Sequence, residues 1–322
     1  MRAVRVHNFG GPEALLYEEA PKPEPGPGEV RLKVEACGVN FVDVYHRMGR
    51  YPGPLPLIPG AEAAGVVDAV GPGVSDFKPG DRGASARVRG GYAEYAIVPA
   101  SQLVAIPGNL DSHTAAAAML QGLTAHYLAY STYPLKAGDS ALIHAAAGGL
   151  GLLLVQIAKM LGVRTLGTVS TEDKARLAKK AGLDDAILYT QTDFDQEVKR
   201  LTGGKGVNVV YDSVGKTTFD QSLNCLKPRG YLVLCGQSSG AVPPFDPQVL
   251  NPKGSLFLTR PTLGDYISDR PELLWRAGDL FKWIADKKLD IYVNKEFPLS
   301  EAAAAHTYLE SRQSTGKLLL IP

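Results

Sequence analysis

The sequence has little that could cross-link it, thread it through a bilayer or draw it to a polyanion. Its three cysteines, Cys37, Cys225 and Cys235, are odd in number, far apart and without any CxxC pair. That usage excludes a disulfide framework or a CxxC zinc lobe, and it fits a reducing compartment, the cytoplasm. Long apolar runs are missing too: "LLLVQIAKML" is broken by Gln156 and Lys159, so no membrane-spanning helix is expected. "MRAVRVHNFGGPEAL" has neither an apolar h-region nor a cleavage site, so no secretory leader is expected. Nor does one sign of charge dominate, since 34 Lys and Arg against 33 Asp and Glu leave a formal charge of +1. Strong nucleic-acid binding needs clustered Lys and Arg to neutralise phosphates, and none are clustered here.

What remains is an ordinary globular composition, 45% apolar over 322 residues, a length that suggests about two domains. The chain has two textures. Residues 1–110 carry short β-type runs, "EVRLKVEACGV", "AAGVVDAVG" and "YAEYAIVP", separated by Pro/Gly clusters such as "PKPEPGPGE" and "YPGPLPLIPG". Such spacing predicts a compact β-barrel-like domain. Residues 111–287 alternate strands and helices. "SALIHA", "RTLGTV", "DAILY", "VNVVYDSV", "YLVLCG" and "SLFLTR" read as strands, and "STEDKARLAKKAG" as a helix capped by its Ser/Asp pair. Apolar strands alternating with helices predict an α/β, doubly wound parallel sheet. Residues 288–322, with "EAAAAHTYLESR" and "KLLLIP", are expected to return to the first domain as helix and strand.

One stretch carries chemistry. "HAAAGGLGLLLVQIAKMLG", from His144 to Gly162, follows a strand and opens a helix, the context in which a glycine-rich turn binds a dinucleotide. Gly148 would let the backbone approach a pyrophosphate, Gly151 would let helix and strand pack closely, and the free amides at the helix start would meet the phosphate charge. Ala146 stands where the first glycine of the fingerprint belongs, which requires φ below zero there. A strand–turn–helix with small residues for packing alone is the plain alternative.

The stretch "GDSALIHAAAGGLGLLLVQIAK" has the spacing of the quinone oxidoreductase signature. With "ACGVNFVDVYHRMGRYPG", "GLTAHYL", "VVYDSVG", "GQSSGAV" and "TRP", the chain resembles, over nearly its whole length, the zinc-independent, zeta-crystallin-like branch of the medium-chain dehydrogenases/reductases. The resemblance implies a GroES-like barrel-type catalytic domain, a Rossmann domain and a cleft between them. It also implies that Asn40, Tyr45, Tyr127, Gly149, Leu150, Val214, Gly236, Ser238, Ser239 and Arg312 contact the cofactor, with the backbone of Leu258, Thr259 and Arg260 holding the carboxamide. Tyr127 as core and Ser238 and Ser239 as turn residues are the alternatives.

NAD-preferring Rossmann proteins carry a carboxylate about twenty positions after the glycines, where this chain ends its strand "GTVST" with Val169 and Ser170. Its absence removes the repulsion of a 2′-phosphate. Ser170 and Lys174 offer a hydroxyl and a cation, and in resembling proteins these positions and Tyr189 contact that phosphate, so NADPH is the expected cofactor. The alternatives are an N-cap for Ser170, a solvated lysine and a strand-end aromatic, and Glu172 and Asp173 would oppose a phosphate unless they point away.

Zinc-dependent relatives carry a ligand cysteine in the "GVN" stretch and a histidine in a GHE motif. Here those positions are Asn40 and Ala61; Glu62 alone cannot hold a metal, and Cys37 reads as a small core residue. No metal is expected. Without a Lewis acid, alcohol oxidation is difficult, whereas a quinone accepts hydride or electrons readily. Asn40, Tyr45 and Tyr51 are the candidate groups to stabilise charge on the reduced oxygen. NADPH-dependent quinone reduction is the leading expectation. Reduction of an activated enone and a structural or RNA-binding role of the zeta-crystallin kind stay open. By resemblance, a homodimer is expected through the edge strand near "SLFLTR".

Overall fold

Alternation in "EVRLKVEACGV" puts Val30, Leu32 and Val34 on one face, and the segment forms the 11-residue strand Glu29–Val39. Around it the computed structural model, which describes residues 1–51 and 53–322, builds its first unit. Glu29–Val39 pairs antiparallel with Ala63–Val70, with Tyr95–Pro99 over its first half and with Lys317–Ile321 over its last residues. One strand with three partners curls the sheet. Val30, Leu32, Val67, Leu103, Phe297 and Leu320 fill the inside. Lys317–Ile321 also pairs in parallel with Val293–Pro298.

The second unit holds a six-stranded, all-parallel sheet. Its order is Asp185–Leu188, Arg164–Val169, Ser140–Ile143, Val207–Asp212, Leu226–Leu234, Phe257–Thr259. The chain runs outward in one direction and then crosses back, so the order reverses between Ser140–Ile143 and Val207–Asp212, the doubly wound α/β arrangement. The compact units are Met1–Leu123 with Ile267–Pro322, and Thr124–Tyr266. The texture of the sequence changes instead near 110 and 288, because most of the helix Ser112–Tyr127 and all of Arg270–Ala285 go with the first unit.

The helix Phe41–Arg47 is seated by a buried chain of polar groups. Asn40 caps it, its backbone N–H donating to Asp43 in a reciprocal capping box. Arg47 can only donate. Its bond to His306 Nδ1 (3.1 Å) therefore puts the ring proton on Nε2, which donates to the Tyr92 hydroxyl (2.9 Å). Tyr92 donates onward to Asp43 (3.3 Å), whose carboxylate also accepts from the backbone amides of Gly60 and Ala61. Arg47 grips Glu310 through two N–H groups, at 2.8 and 3.1 Å. Burial pushes Asp43 up to about 6 against its backbone donors. Burial first, then Arg47, pushes His306 down to about 3.

These shifts set opposite pH signs. A carboxyl raised in the folded state stabilises most at low pH, and Asp43 loses that contribution as pH rises through about 6. His306 is depressed below the ordinary 6.5, so its contribution is full above that value and is lost as pH falls towards about 3. From about pH 7 to about pH 5 the loss from His306 should be about 2 kcal/mol. His306→Gln keeps an acceptor for Arg47 and a donor for Tyr92 without a titrating ring. Urea unfolding should therefore show a smaller acid loss in the variant than in the parent; equal losses would refute a neutral buried imidazole.

Candidate functional site

In the second unit, the residues expected to meet a dinucleotide gather where parallel strands end. The helix Gly149–Met160 starts at Gly148, which offers no side-chain cap. Its first amides have no acceptor inside the helix, which makes them donors for an anion. A Cβ on Gly151 would lie 2.3 Å from the Ala145 carbonyl oxygen, so close packing against the turn itself, rather than against the strand, requires glycine here. At Gly148 the nearest atom would be at 3.2 Å, the same carbonyl. Ala146 keeps a negative φ, whereas Ala145 before it takes φ 51°, the left-handed region that normally calls for glycine.

After Arg164–Val169, the expected Ser/Asp cap is corrected. The helix runs Glu172–Lys180, and Thr171, one residue later than Ser170, caps it by accepting from the Lys174 amide (3.3 Å). Ser170 stands in the bend just after the strand, its carbonyl accepting from the Thr190 hydroxyl. The Tyr189 amide donates to Val169, which brings Tyr189, 41% exposed, beside the same strand end. Lys174 lies in the first turn of its helix, where the dipole disfavours a cation, and burial lowers its pKa. Asp173 is exposed and engaged by Arg176.

The loops after Val207–Asp212 and Leu226–Leu234 are tied to each other. Ser239 donates through its hydroxyl (2.7 Å) and its amide (2.9 Å) to the Val214 carbonyl, and the Ser238 amide donates to Ser213. A Cβ on Gly236 would meet the Ser213 carbonyl at 2.5 Å. Leu258 and Thr259 lie in the edge strand, with Arg260 just beyond it. Tyr127 is buried and stacked on Tyr266 at 4.2 Å. Arg312 lies in the first unit, with φ 62°.

In the first unit, Asn40 is enclosed. Its two amide hydrogens go to the Gly38 carbonyl (3.2 Å) and to Glu62 (2.8 Å), while its Oδ1 accepts from Lys317 Nζ (2.8 Å) and from Gln121. Lys317 and Glu62, 2% and 0% exposed, form an ion pair, and Glu62 also accepts from the Leu120 amide. A Cβ on Gly38 would lie 2.0 Å from a Glu62 oxygen and 2.8 Å from the Lys317 stem, so only glycine leaves room for the pair. As donor of a hydrogen bond to an outside oxygen, the role expected of it, Asn40 has no hydrogen left over in this arrangement. Lys317 escapes sequence reading because it opens an apolar strand. The available signal was a buried carboxylate, Glu62, that needs a counter-charge. Cys37 is core, as expected, its thiol donating to the Glu62 carbonyl and pushed up by burial. Tyr45 and Tyr51 stand edge to face at 5.6 Å, with Arg50 over the Tyr45 ring. No group of three or more His, Cys, Asp or Glu among the described residues could hold a metal ion.

Two family models match: "Alcohol dehydrogenase GroES-like domain" over residues 26–108, and "Zinc-binding dehydrogenase" over 149–274. A 2-haloacrylate reductase from a Burkholderia species is 46% identical over 99% of this chain and 98% of its own. A quinone oxidoreductase from Pseudomonas aeruginosa is 47% identical over 100% and 99%. Among solved structures, a mycobacterial protein complexed with NADPH matches with a TM-score of 0.98 at 48% identity, both chains fully covered. Escherichia coli quinone oxidoreductase complexed with NADPH matches with a TM-score of 0.97 at 43% identity, again over both whole chains.

The buried pair makes its own prediction. Lys317→Met should strip Glu62 of its counter-charge and cost about 3–5 kcal/mol of stability, since breaking a buried pair leaves an uncompensated charge. Lys317→Met with Glu62→Gln should recover most of that loss. Denaturant unfolding of the single and double variants checks it, and additive losses would show that the two do not form a pair in solution.

Proposed function

Because the chain belongs to the quinone oxidoreductases of the medium-chain dehydrogenase/reductase superfamily, we propose that it oxidises NADPH and reduces quinones. The observation that carries the cofactor is the gathering of Gly148, Gly149, Leu150 and Gly151 with Ser170, Lys174 and Tyr189 at neighbouring strand ends. The glycine turn leaves backbone donors for the pyrophosphate, and no carboxylate occupies the strand end at Ser170. Lys174, half-buried in the first turn of its helix, gains what both burial and the dipole deny it when a 2′-phosphate sits beside it. Bound NADPH supplies the hydride.

The chain's own residues then have to hold and stabilise. Val214, Gly236, Ser238 and Ser239 shape one wall for the cofactor, the backbone of Leu258, Thr259 and Arg260 receives its carboxamide, and Tyr127 and Arg312 complete the binding set. Tyr45 and Tyr51 are the phenols offered to the oxygen that gains charge, and a hydroquinone oxyanion takes its proton from water. Asn40, spent on its internal bonds, seats the helix Phe41–Arg47 that carries Tyr45. Zinc does not fit this donor set: Asn40 and Ala61 hold the ligand positions, and the Lys317 ammonium is bonded to both Asn40 and Glu62, repelling a second cation. The 2-haloacrylate reductase among the relatives supports an activated alkene as a second acceptor class.

We also infer a reducing, cytoplasmic setting, supported by three free cysteines, and a homodimer. Phe257–Thr259 ends the sheet, and Phe257, 48% exposed, stacks on Tyr231 at 4.4 Å. Pairing this edge with its two-fold mate would cover it.

NADPH oxidation measured against quinones and activated alkenes tests the function; turnover with neither class would overturn it. Lys174→Ala should weaken NADPH by about tenfold or more, the worth of a charge-assisted contact, and leave NADH nearly unchanged. Equal weakening of both cofactors would move Lys174 from the phosphate to stability. Sedimentation at micromolar concentration should give the mass of a dimer, and a monomer would remove the edge-strand interface.

A further inference from the structure

Beneath the glycine turn lies a buried chain of hydrogen bonds that can run in only one direction. Asp212, fully buried, accepts from the amides of Val214 (2.8 Å) and Gly215 (2.9 Å), from the Thr218 hydroxyl, and from the Ser222 hydroxyl (3.1 Å). Ser222 has then spent its hydrogen, so it accepts from His144 Nε2 (2.9 Å). Burial lowers the His144 pKa and keeps the ring neutral, which leaves Nδ1 as an acceptor. The Thr168 hydroxyl donates to it (3.0 Å), and the remaining capacity of that oxygen accepts the Ala145 amide (3.3 Å).

The last link meets the strained residue. Ala145 holds φ 51° although it carries a Cβ, and two neighbouring amides are fixed from the same threonine: Ala145 by its hydroxyl, Ala146 by its carbonyl. The Ala145 carbonyl accepts from Gly148 (2.8 Å) and stands against Gly151, so its orientation sets where the helix amides begin. At the other end of the chain, the Asp212 carboxylate anchors the loop that carries Val214.

We propose that Thr168 and His144 are positioning residues that hold the glycine turn in its left-handed conformation, so that dinucleotide affinity is set by this relay and both binding loops depend on the one Asp212 carboxylate. The inference rests on the reading that this turn binds NADPH.

Thr168→Val keeps shape and removes the hydroxyl. It should raise the Kd for NADPH by about tenfold, the effect of leaving the competent turn populated about a tenth of the time, and the loss should appear in KM rather than kcat. Thr168→Ser, which keeps the hydroxyl, should bind like the parent. Thr168→Val with Ala145→Gly should regain most of the affinity, because glycine adopts this φ without help. In the absence of NADPH, amide exchange over residues 145–148 should quicken in Thr168→Val and stay slow in Thr168→Ser. Should Thr168→Val not fold, Ser222→Ala cuts the chain two links away and carries the same expectations. Unchanged affinity and exchange, a serine variant as impaired as the valine one, or no recovery with glycine would each overturn the relay. A parent that fails to bind NADPH would overturn the functional reading, and the exchange measurement would still decide the relay.

Discussion

A buried ammonium beside a buried carboxylate is tolerable only if further hydrogen bonds share the two charges, and Lys317 and Glu62 impose that condition on the first unit. The condition reaches outward. Gly38 must have no side chain, Asn40 must turn its oxygen to the lysine and its amide to the glutamate, and the helix Ser112–Tyr127 must present the Leu120 amide. Four segments distant in sequence are thereby placed by two charges. Asp212 plays a comparable part in the second unit, accepting from its own loop and from Ser222 in the helix Phe219–Asn224, through which His144 is tied in.

The parts of this architecture that are local in sequence were legible. "RTLGTV" is the strand Arg164–Val169, and "EVRLKVEACGV" is the strand Glu29–Val39, because alternation or an apolar run between breakers is written within a few residues. The glycine turn and its helix could be placed for the same reason, whereas the grouping of Ser170, Lys174 and Tyr189 came from the family resemblance. Caps are less secure: with Ser170 and Thr171 adjacent, only geometry decides which one accepts the Lys174 amide.

What could not be read depends on partners far along the chain. Nothing in "HAAAGG" says that Ala145 is the residue with positive φ; the hydroxyl that favours it comes from Thr168 on the next strand. Asn40 looked like a donor because its residue type is one, and only the positions of Gly38 and Glu62 show both hydrogens committed. Lys317 carries no local sign of its role, since it simply opens the apolar run "KLLLIP". Its burial follows from a partner 255 residues earlier.

That separation bears on how the molecule is made. The second unit, Thr124–Tyr266, is a single continuous stretch, interposed between the two parts of the first. Its parallel strands can associate as soon as the stretch exists, whereas Glu29–Val39 must wait for Lys317–Ile321 before its last residues find their partner. Contacts that distant are slow to form, since loop closure has to precede any gain from them. Until then Glu62 lacks its counter-charge. The charge pair around Asn40 is therefore a late event in maturation.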